Sequence, residues 1–250
     1  MLAWLGAVMI GLSLGLLGSG GSIITVPVLV YLAGEPGKIA IAESLGIVSV
    51  IAGVGALNHV RHRHVDWRSV WLAGLPAMLG SYAGAWVSQF ISARMQLILF
   101  AIVMLIAGWR MYMNAMRTDW RPSYCRPGCL LALGLGVGIL SGIVGVGGGF
   151  LIVPALILLG GLNMSMAVGS SLMIICLSSA IGFSKQLHLL YASGVHLNWN
   201  TFALFVVLGI IGSLAGPPIR SKLPQPQLQK IYAVAVVIMA GLILWKSAVQ

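Results

Sequence analysis

Long, uninterrupted apolar runs dominate the chain. Six of them lie near residues 39–58, 69–90, 96–115, 165–184, 200–217 and 229–246. Each is about 20 residues long, enough for an α-helix rising 1.5 Å per residue to cross roughly 30 Å of hydrocarbon. No polar stretch between them is long enough to fold as a soluble domain. The pattern predicts an all-α integral membrane protein.

Two further apolar stretches, residues 1–34 and 127–161, carry no charge and are too long for one straight span yet short for two. Each contains a run of glycines followed by Val-Pro, in the sequences GLLGSGGSIITVP and GIVGVGGGFLIVP. Glycine and proline interrupt regular helices. We therefore predict that both stretches are broken inside the membrane, which gives about eight hydrophobic helical segments.

The two broken stretches match each other when residue n is set beside residue n + 127. The offset aligns Gly18 with Gly145, Gly20 with Gly147, Pro27 with Pro154 and Ser44 with Ser171; after five inserted residues, Ser81 aligns with Ser213. The matches predict two tandem repeats of four hydrophobic segments, residues 1–115 and 127–250, joined by a basic loop over 116–126. Repeats interrupted by Gly and Pro at corresponding positions are typical of secondary transporters with a site at the repeat interface.

The relative orientation of the repeats is left open by the charge pattern. If all eight segments cross fully, the repeats are parallel and the basic residues divide nine to five. If one glycine-broken segment per molecule enters and leaves on the same side of the membrane, the repeats are inverted and the division is ten to four. In both cases loops 61–68 and 116–126 carry the excess of Arg and Lys and are expected to face the cytoplasm.

The composition of the chain argues against several classes of protein. Only 7% of the 250 residues are charged and 59% are apolar, whereas about a quarter of a soluble domain is charged. The chain has 14 basic residues against 4 acids. The basic residues sit in short loops, where they indicate topology and contact with anionic lipid headgroups, so no nucleic-acid partner is predicted. The chain has no H-E-x-x-H and no pair of intramembrane acids, which argues against an enzyme.

A metal or cofactor site is not predicted either. His59, His62 and His64 lie in the sequence HVRHRH, where the arginines oppose a bound cation and the spacing matches no standard zinc pattern. The three cysteines include one in an apolar run and two spaced C-x3-C beside the basic loop. Neither a disulfide framework nor a zinc knuckle follows from them.

The glycine breaks themselves are candidate anion sites. Ser22 or Thr25 can begin a new helix after the first break, with Pro27 in its first turn. The new N-terminus directs free N–H groups at the break, and glycine lets the backbone approach a ligand. The alternative is that the glycines serve only close helix packing. The candidate substrate-binding residues at the breaks are Gly18, Gly20, Gly21, Ser22, Gly145, Gly147, Gly148 and Gly149.

The helix after each break begins with small and polar residues, in AIAESLG at 40–46 and AVGSSLM at 167–173. Ser44, Ser170 and Ser171 are predicted to form a second wall of the site. Glu43 is the only acid inside an apolar run and is a candidate for proton coupling, because an intramembrane carboxylate is costly; the alternative is a helix-end Glu that reaches the headgroups. Lys185 is a candidate cation for the substrate or, alternatively, a lysine that reaches the interface.

These paired motifs resemble the sulfite exporter TauE/SafE family, also called the sulfonate uptake permease family. The resemblance rests on GLLGSGGSIITVP and GIVGVGGGFLIVP, each followed by an A-x-x-x-S-L helix and then by H-V-D-W or H-L-N-W. It implies a bacterial or archaeal inner-membrane permease that moves small anions such as sulfite, sulfonates or related organosulfur acids, often outward. The family's glycine signature falls on the seven break glycines, and its small-polar helix start falls on Ser44, Ser170 and Ser171. Glu43 departs from the family pattern.

Three functions are consistent with these observations. The first is a multi-pass permease for a small organosulfur or sulfur oxyanion, with proton-coupled export as one form. The second is a passive anion channel, and the third is a membrane subunit that does not transport. The expected partners are a small anion and membrane lipids, with the oligomeric state open.

Overall fold

The computed structural model of the chain is all-helical over the part it describes, which confirms the predicted fold class. The described residues are 2–17, 22–115, 127–145, 147–148, 152–153, 156, 161–162, 164–195, 197–220, 237–238 and 240–241. Their principal helices are α1 (Leu2–Leu17), α2 (Ser22–Tyr31), α3 (Gly37–Arg61), α4 (Trp67–Ser88), α5 (Ala93–Ala115), α6 (Pro127–Val144), α7 (Met164–Ala192) and α8 (Trp199–Arg220).

The helices match the predicted spans in position. Among the described residues, α3, α4 and residues Ser165–Ala192 of α7 are long and apolar enough to cross a membrane, and shorter apolar helices accompany them. The predicted spans at 96–115 and 200–217 lie within α5 and α8. Most of the predicted span at 229–246, and the whole connecting loop 116–126, lie outside the described residues.

The outer surface is apolar, as a lipid-facing surface must be. Leu79 is 71% exposed, and Trp71 and Leu214 are more than half exposed. A contiguous apolar surface of this kind would promote aggregation in water. It is the surface expected of a protein whose solvent is the bilayer.

The first apolar stretch is broken and turns back on itself. Helix α1 ends at Leu17 and α2 begins at Ser22, and Gly6 near the start of α1 packs against Val28 and Leu32 at the end of α2. The two helices therefore run antiparallel, and α3 begins at the same end of the bundle as α1. Pro27 lies in the second turn of α2, not the first as predicted, because the helix begins at Ser22.

The second apolar stretch is broken in the same manner. Helix α6 ends at Val144, and the chain then passes through Gly145, Gly147 and Gly148, all with positive φ. A side chain at Gly148 would meet Val137 of α6. The chain thus reverses beside the helix it has just left, and this reversal is called the second break below.

Glycines bring α4 and α6 into backbone contact. Gly134, Gly138 and Gly142 of α6 lie against the backbone of Ala73, Ala77 and Ser81 of α4, respectively, so the residue numbers rise together and the helices are parallel. The pairing recurs between α1 and α8. Gly80 contacts the backbone of Leu135, Gly138 and Ile139, while Gly212 contacts that of Val8, Gly11 and Leu12.

Helices α3 and α7 cross antiparallel at the centre of the bundle. Ser49 Oγ donates a hydrogen bond to the carbonyl oxygen of Cys176. On one side of this contact Gly182 faces Leu45, and on the other Gly55 faces Leu172, so the residue numbers run in opposite directions. Helix α3 therefore begins where α7 ends.

The antiparallel crossing defines two ends of the bundle. The Lys38 end holds the start of α3, the end of α4, the start of α5 and the end of α7. The Asp66 end holds the end of α3 and the starts of α4 and α7. At the Asp66 end, Asp66 caps α4 by accepting hydrogen bonds from the backbone N–H and the hydroxyl of Ser69, a stabilisation of about 1 kcal/mol.

Candidate substrate site at the second glycine break

The second break lies against the first half of α3. Gly145 packs on Ile41, and Ser44 Oγ is within hydrogen-bonding distance of the carbonyl oxygens of both Ile41 and Gly145. The Gly145 N–H donates to the carbonyl oxygen of Ser141, which closes the last turn of α6. The structure thus brings together two predicted elements of the site, the glycine run and the small-polar start of the next helix.

Gly147 occupies a crowded position of the break. A methyl group built on it would lie 2.8 Å from Ser179 Oγ of α7 and 2.9 Å from Val48 Cγ1 of α3. Its φ of +72° belongs to the left-handed region, which side chains with a Cβ enter at a cost. Both space and backbone conformation therefore require glycine here, and the backbone of the break is open to close approach.

Three buried hydroxyls around the second break have no hydrogen-bond partner among the described residues. They belong to Ser81 of α4, Ser141 of α6 and Ser179 of α7, and each side chain is at most 2% exposed. A buried polar group left unpaired costs about 1–3 kcal/mol. Native structures rarely tolerate this without a bound water, ion or ligand.

The three hydroxyls lie on three neighbouring helices. Ser179 touches the position of Gly147, while Ser141 packs beside Gly148. Ser81 faces Gly182, which is three residues after Ser179 and so lies on the same face of α7. We call Ser81, Ser141 and Ser179, together with the second break, the hydroxyl cluster.

Sequence reasoning did not select these three serines. Ser81 carried a signal, since the repeat aligns it with Ser213. Ser141 and Ser179 carried none beyond being hydroxyls in apolar runs.

The predicted second wall is divided between the two ends of the bundle. Ser44 is beside the second break, but Ser170 and Ser171 lie at the Asp66 end of α7. There Ser170 Oγ accepts a hydrogen bond from the Asp66 N–H, and Ser171 Oγ donates to the carbonyl oxygen of Val168. The antiparallel crossing of α3 and α7 causes this separation.

Glu43 is fully buried one residue before Ser44 and does not reach the surface of the bundle. Neither carboxylate oxygen accepts a hydrogen bond from a described residue by strict geometry. The backbone N–H of Asn198 and the carboxylate of Glu35 are near enough to act on it electrostatically. In the repeat alignment Asn198 corresponds to Asp66, and Glu43 corresponds to Ser170. The α7–α8 loop therefore lies against Glu43 in the same way as the α3–α4 loop lies against Ser170.

The remaining candidates fall elsewhere. Ser22 is buried at the start of α2, whereas Gly18, Gly20, Gly21 and Gly149 lie outside the described residues. Lys185 Nζ lies 5.1 Å from the ring centroid of Tyr82. Over the described part of the chain, His, Cys, Asp and Glu form no group of three that could hold a metal ion.

An apolar helical bundle with broken helices, and with polar groups at its centre that have no partner among the described residues, is typical of a membrane transporter. The model of the family "Sulfite exporter TauE/SafE" matches residues 3–243. The chain belongs to the sulfite exporter TauE/SafE family.

Relatives in bacteria and archaea carry transporter names. A "Probable membrane transporter protein" of Xylella fastidiosa (strain Temecula1) is 33% identical over 247 residues, covering 96% of this chain and 92% of the relative. The "Probable membrane transporter protein YunE" of Bacillus subtilis is 27% identical and covers 96% and 97% of the two chains. A relative from Methanocaldococcus jannaschii, "Probable membrane transporter protein MJ0441", is 26% identical over 60% of each.

These matches confirm the expected resemblance. The family is a family of membrane transporters and the relatives are named as transporters, so the expectation that the chain is not an enzyme is also confirmed. A transporter takes a small-molecule substrate and works within a membrane.

Proposed function

We propose that the chain is a permease that moves a small sulfur-containing anion, such as sulfite or a sulfonate, across the cytoplasmic membrane. The observation that carries the proposal is the hydroxyl cluster. Among the described residues, three buried serine hydroxyls have no hydrogen-bond partner, and they lie near a backbone reversal made of glycines. In a low-dielectric interior such donors gain most from a ligand that accepts several hydrogen bonds at once.

An oxyanion fits this environment better than a cation does. A cation in the bilayer interior is commonly held by carboxylates or by several converging carbonyl oxygens, and Glu43 is the only acid in the apolar runs. Hydroxyl donors and exposed backbone at glycines are the means by which proteins hold an anion without a charged side chain. The family name adds the sulfur oxyanion as the first substrate to test.

The helix directions support inverted repeats. Helices α3 and α7 are corresponding segments at the offset of 127, and a symmetry axis that makes them antiparallel must lie in the membrane plane. Inverted repeats with broken helices at their interface are a common plan of secondary transporters. In this arrangement the hydroxyl cluster belongs to one of two related halves of a pathway.

The inverted arrangement also assigns the two sides of the membrane. From the charge pattern of the sequence, we expect this arrangement to put ten of the 14 basic residues on the side of the Asp66 end and four on the other side. By the positive-inside rule the Asp66 end faces the cytoplasm. The relatives in bacteria and archaea favour a multi-pass protein of the inner membrane.

Glu43 is the candidate for coupling to protons. It is buried beside Ser44, with the backbone N–H of Asn198 near its carboxylate. Acids inside membrane helices are rare and are found in the proton relays of pumps and transporters. Its neighbour Ser44 contacts the second break. Protonation of Glu43 therefore affects anion binding at the break, and anion binding affects the protonation of Glu43.

Flux measurements on purified protein in liposomes test the proposal. We expect saturable uptake of radiolabelled sulfite, competed by short sulfonates and stimulated by a proton gradient. Flux that rises linearly with concentration and ignores the proton gradient would establish the passive channel instead. No flux and no ligand-dependent thermal shift with sulfite, sulfonates or carboxylates would favour a subunit that does not transport.

A further inference from the structure

A cavity of about 320 Å³ lies at the Lys38 end, beside the hydroxyl cluster. The residues that line it include Lys38, Ile41, Ser88, Gln96, Gln186 and Ser193. Lys38 is the only charged side chain among its described lining residues. The cavity is large enough for a small hydrated anion, and its lining is rich in amide and hydroxyl groups.

The barrier between this cavity and the second break is thin. Ile41 lines the cavity and also packs directly against Gly145. Gln186 Nε2 donates to Ser88 Oγ at 2.7 Å and to the carbonyl oxygen of Gly142 at 3.3 Å. Gly142 is three residues before Gly145, so the amide of Gln186 joins α7 to α4 and to the last turn of α6.

We propose that the Lys38 cavity is the extracytoplasmic mouth of the anion pathway, with Lys38 drawing the anion in and Gln186 gating its passage to the hydroxyl cluster. The proposal rests on the proposed transport function. Breaking the bonds of Gln186 opens the short path past Ile41 to the second break.

Thiol labelling measures access without measuring transport. In a variant with Cys125, Cys129 and Cys176 replaced, Ser193→Cys is treated in intact cells with membrane-impermeant methanethiosulfonates of negative and of positive charge. We expect rapid labelling from outside, and Lys38→Gln should slow the anionic reagent about threefold relative to the cationic one, the effect of one half-solvated charge. His62→Cys in the cytoplasmic loop is the matched control and should react only after permeabilisation.

The outcomes separate this inference from the proposed function. Labelling of Ser193→Cys only after permeabilisation, or a charge preference unchanged by Lys38→Gln, overturns the external mouth even if sulfite flux is found. External labelling with the expected charge preference supports it, including in a protein that shows no sulfite flux.

The gate has its own readout. Ser179→Cys should react slowly from outside while Gln186 is present, and about tenfold faster with Gln186→Ala, because the barrier loses hydrogen bonds worth roughly that factor. Ser88→Ala removes the hydroxyl that accepts the hydrogen bond from Gln186 Nε2. It provides a second variant if Gln186→Ala does not fold. Equal labelling rates of Ser179→Cys in all three backgrounds would overturn the gating role of Gln186.

Discussion

Ser49 on α3 donates a 3.0 Å hydrogen bond through its hydroxyl to the carbonyl oxygen of Cys176 on α7, and the two residues are 127 positions apart. That separation equals the offset at which the halves of the sequence match. Each residue thus contacts its own counterpart, as residues do on a two-fold axis. The contact places the axis at the crossing of α3 and α7, next to Val48 and the second break.

A cross-link tests the antiparallel crossing. A Cβ at Gly53 would lie 3.1 Å from Cys176 Sγ, close to the separation across a disulfide. We expect Gly53→Cys to form a disulfide with Cys176 on mild oxidation, in a protein with Cys125 and Cys129 replaced. A protease site inserted in loop 116–126 should then yield two fragments that separate only after reduction.

The matched control for the cross-link is Gly74→Cys. Gly74 of α4 faces Ile174 and Val70, so its thiol should not pair with Cys176. Fragments that separate without reduction in the Gly53→Cys protein would contradict the described crossing.

The glycine contact between α4 and α6 should be needed for stability. A Cβ on Gly80 would clash with the backbone of Leu135 and Ile139, which flexible side chains cannot relieve. We expect Gly80→Ala to destabilise the fold by about 2 kcal/mol and to lower the thermal midpoint in detergent. Gly74→Ala, whose Cβ would have its nearest contact at an ordinary 3.6 Å, should leave the midpoint nearly unchanged; equal shifts would contradict the packing.

The second break should tolerate no side chain. Gly148 has a φ of +65°, and a Cβ on it would press on Val137. We expect Gly148→Val to reduce anion flux more than tenfold, since about 1–3 kcal/mol of backbone strain adds to the steric clash. Gly136→Val is the control, because a Cβ there meets nothing within 4 Å. Monodisperse, folded Gly148→Val protein with normal flux would show that the break does not form the site.

Substitution of Glu43 should distinguish proton coupling from anion binding. We expect Glu43→Gln to retain sulfite exchange between equal concentrations but to lose accumulation driven by a proton gradient, because the amide cannot take up and release a proton. Its thermal midpoint should not fall, since a neutral amide is easier to bury than a carboxylate. The comparison is Glu35→Gln, at a partly exposed position outside the helices. Proton-driven accumulation that survives Glu43→Gln would exclude the coupling role.

The helices and their breaks could be predicted because length and hydrophobicity determine them. A run of some 20 apolar residues has few alternatives to a helix in a membrane, and GVGGG after α6 interrupts the helix where expected. The direction of the repeats could not be predicted, since the offset of 127 is the same for parallel and inverted halves. In the structure Leu45 lies opposite Gly182 and not opposite its counterpart Leu172, which is the arrangement expected of inverted halves.

The hydroxyl cluster was hidden for a local reason. A serine in a membrane helix commonly donates to a carbonyl in the preceding turn, as Ser88 does to Ala85 and Ser171 to Val168. The sequence does not distinguish such a serine from Ser179, whose hydroxyl has no partner among the described residues. That distinction depends on how α4, α6 and α7 pack together.

The most direct test compares Ser179→Ala with Ser178→Ala. Ser178 is the neighbouring buried serine of α7, and its hydroxyl donates to the carbonyl oxygen of Ile175. If the hydroxyl cluster holds the anion, Ser179→Ala should raise the KM for sulfite about tenfold, the loss expected for a hydrogen bond to a charged group, without lowering the thermal midpoint. Ser178→Ala should leave KM unchanged. Equal KM values for wild type and both variants, at saturable flux, would contradict a substrate site at the second break.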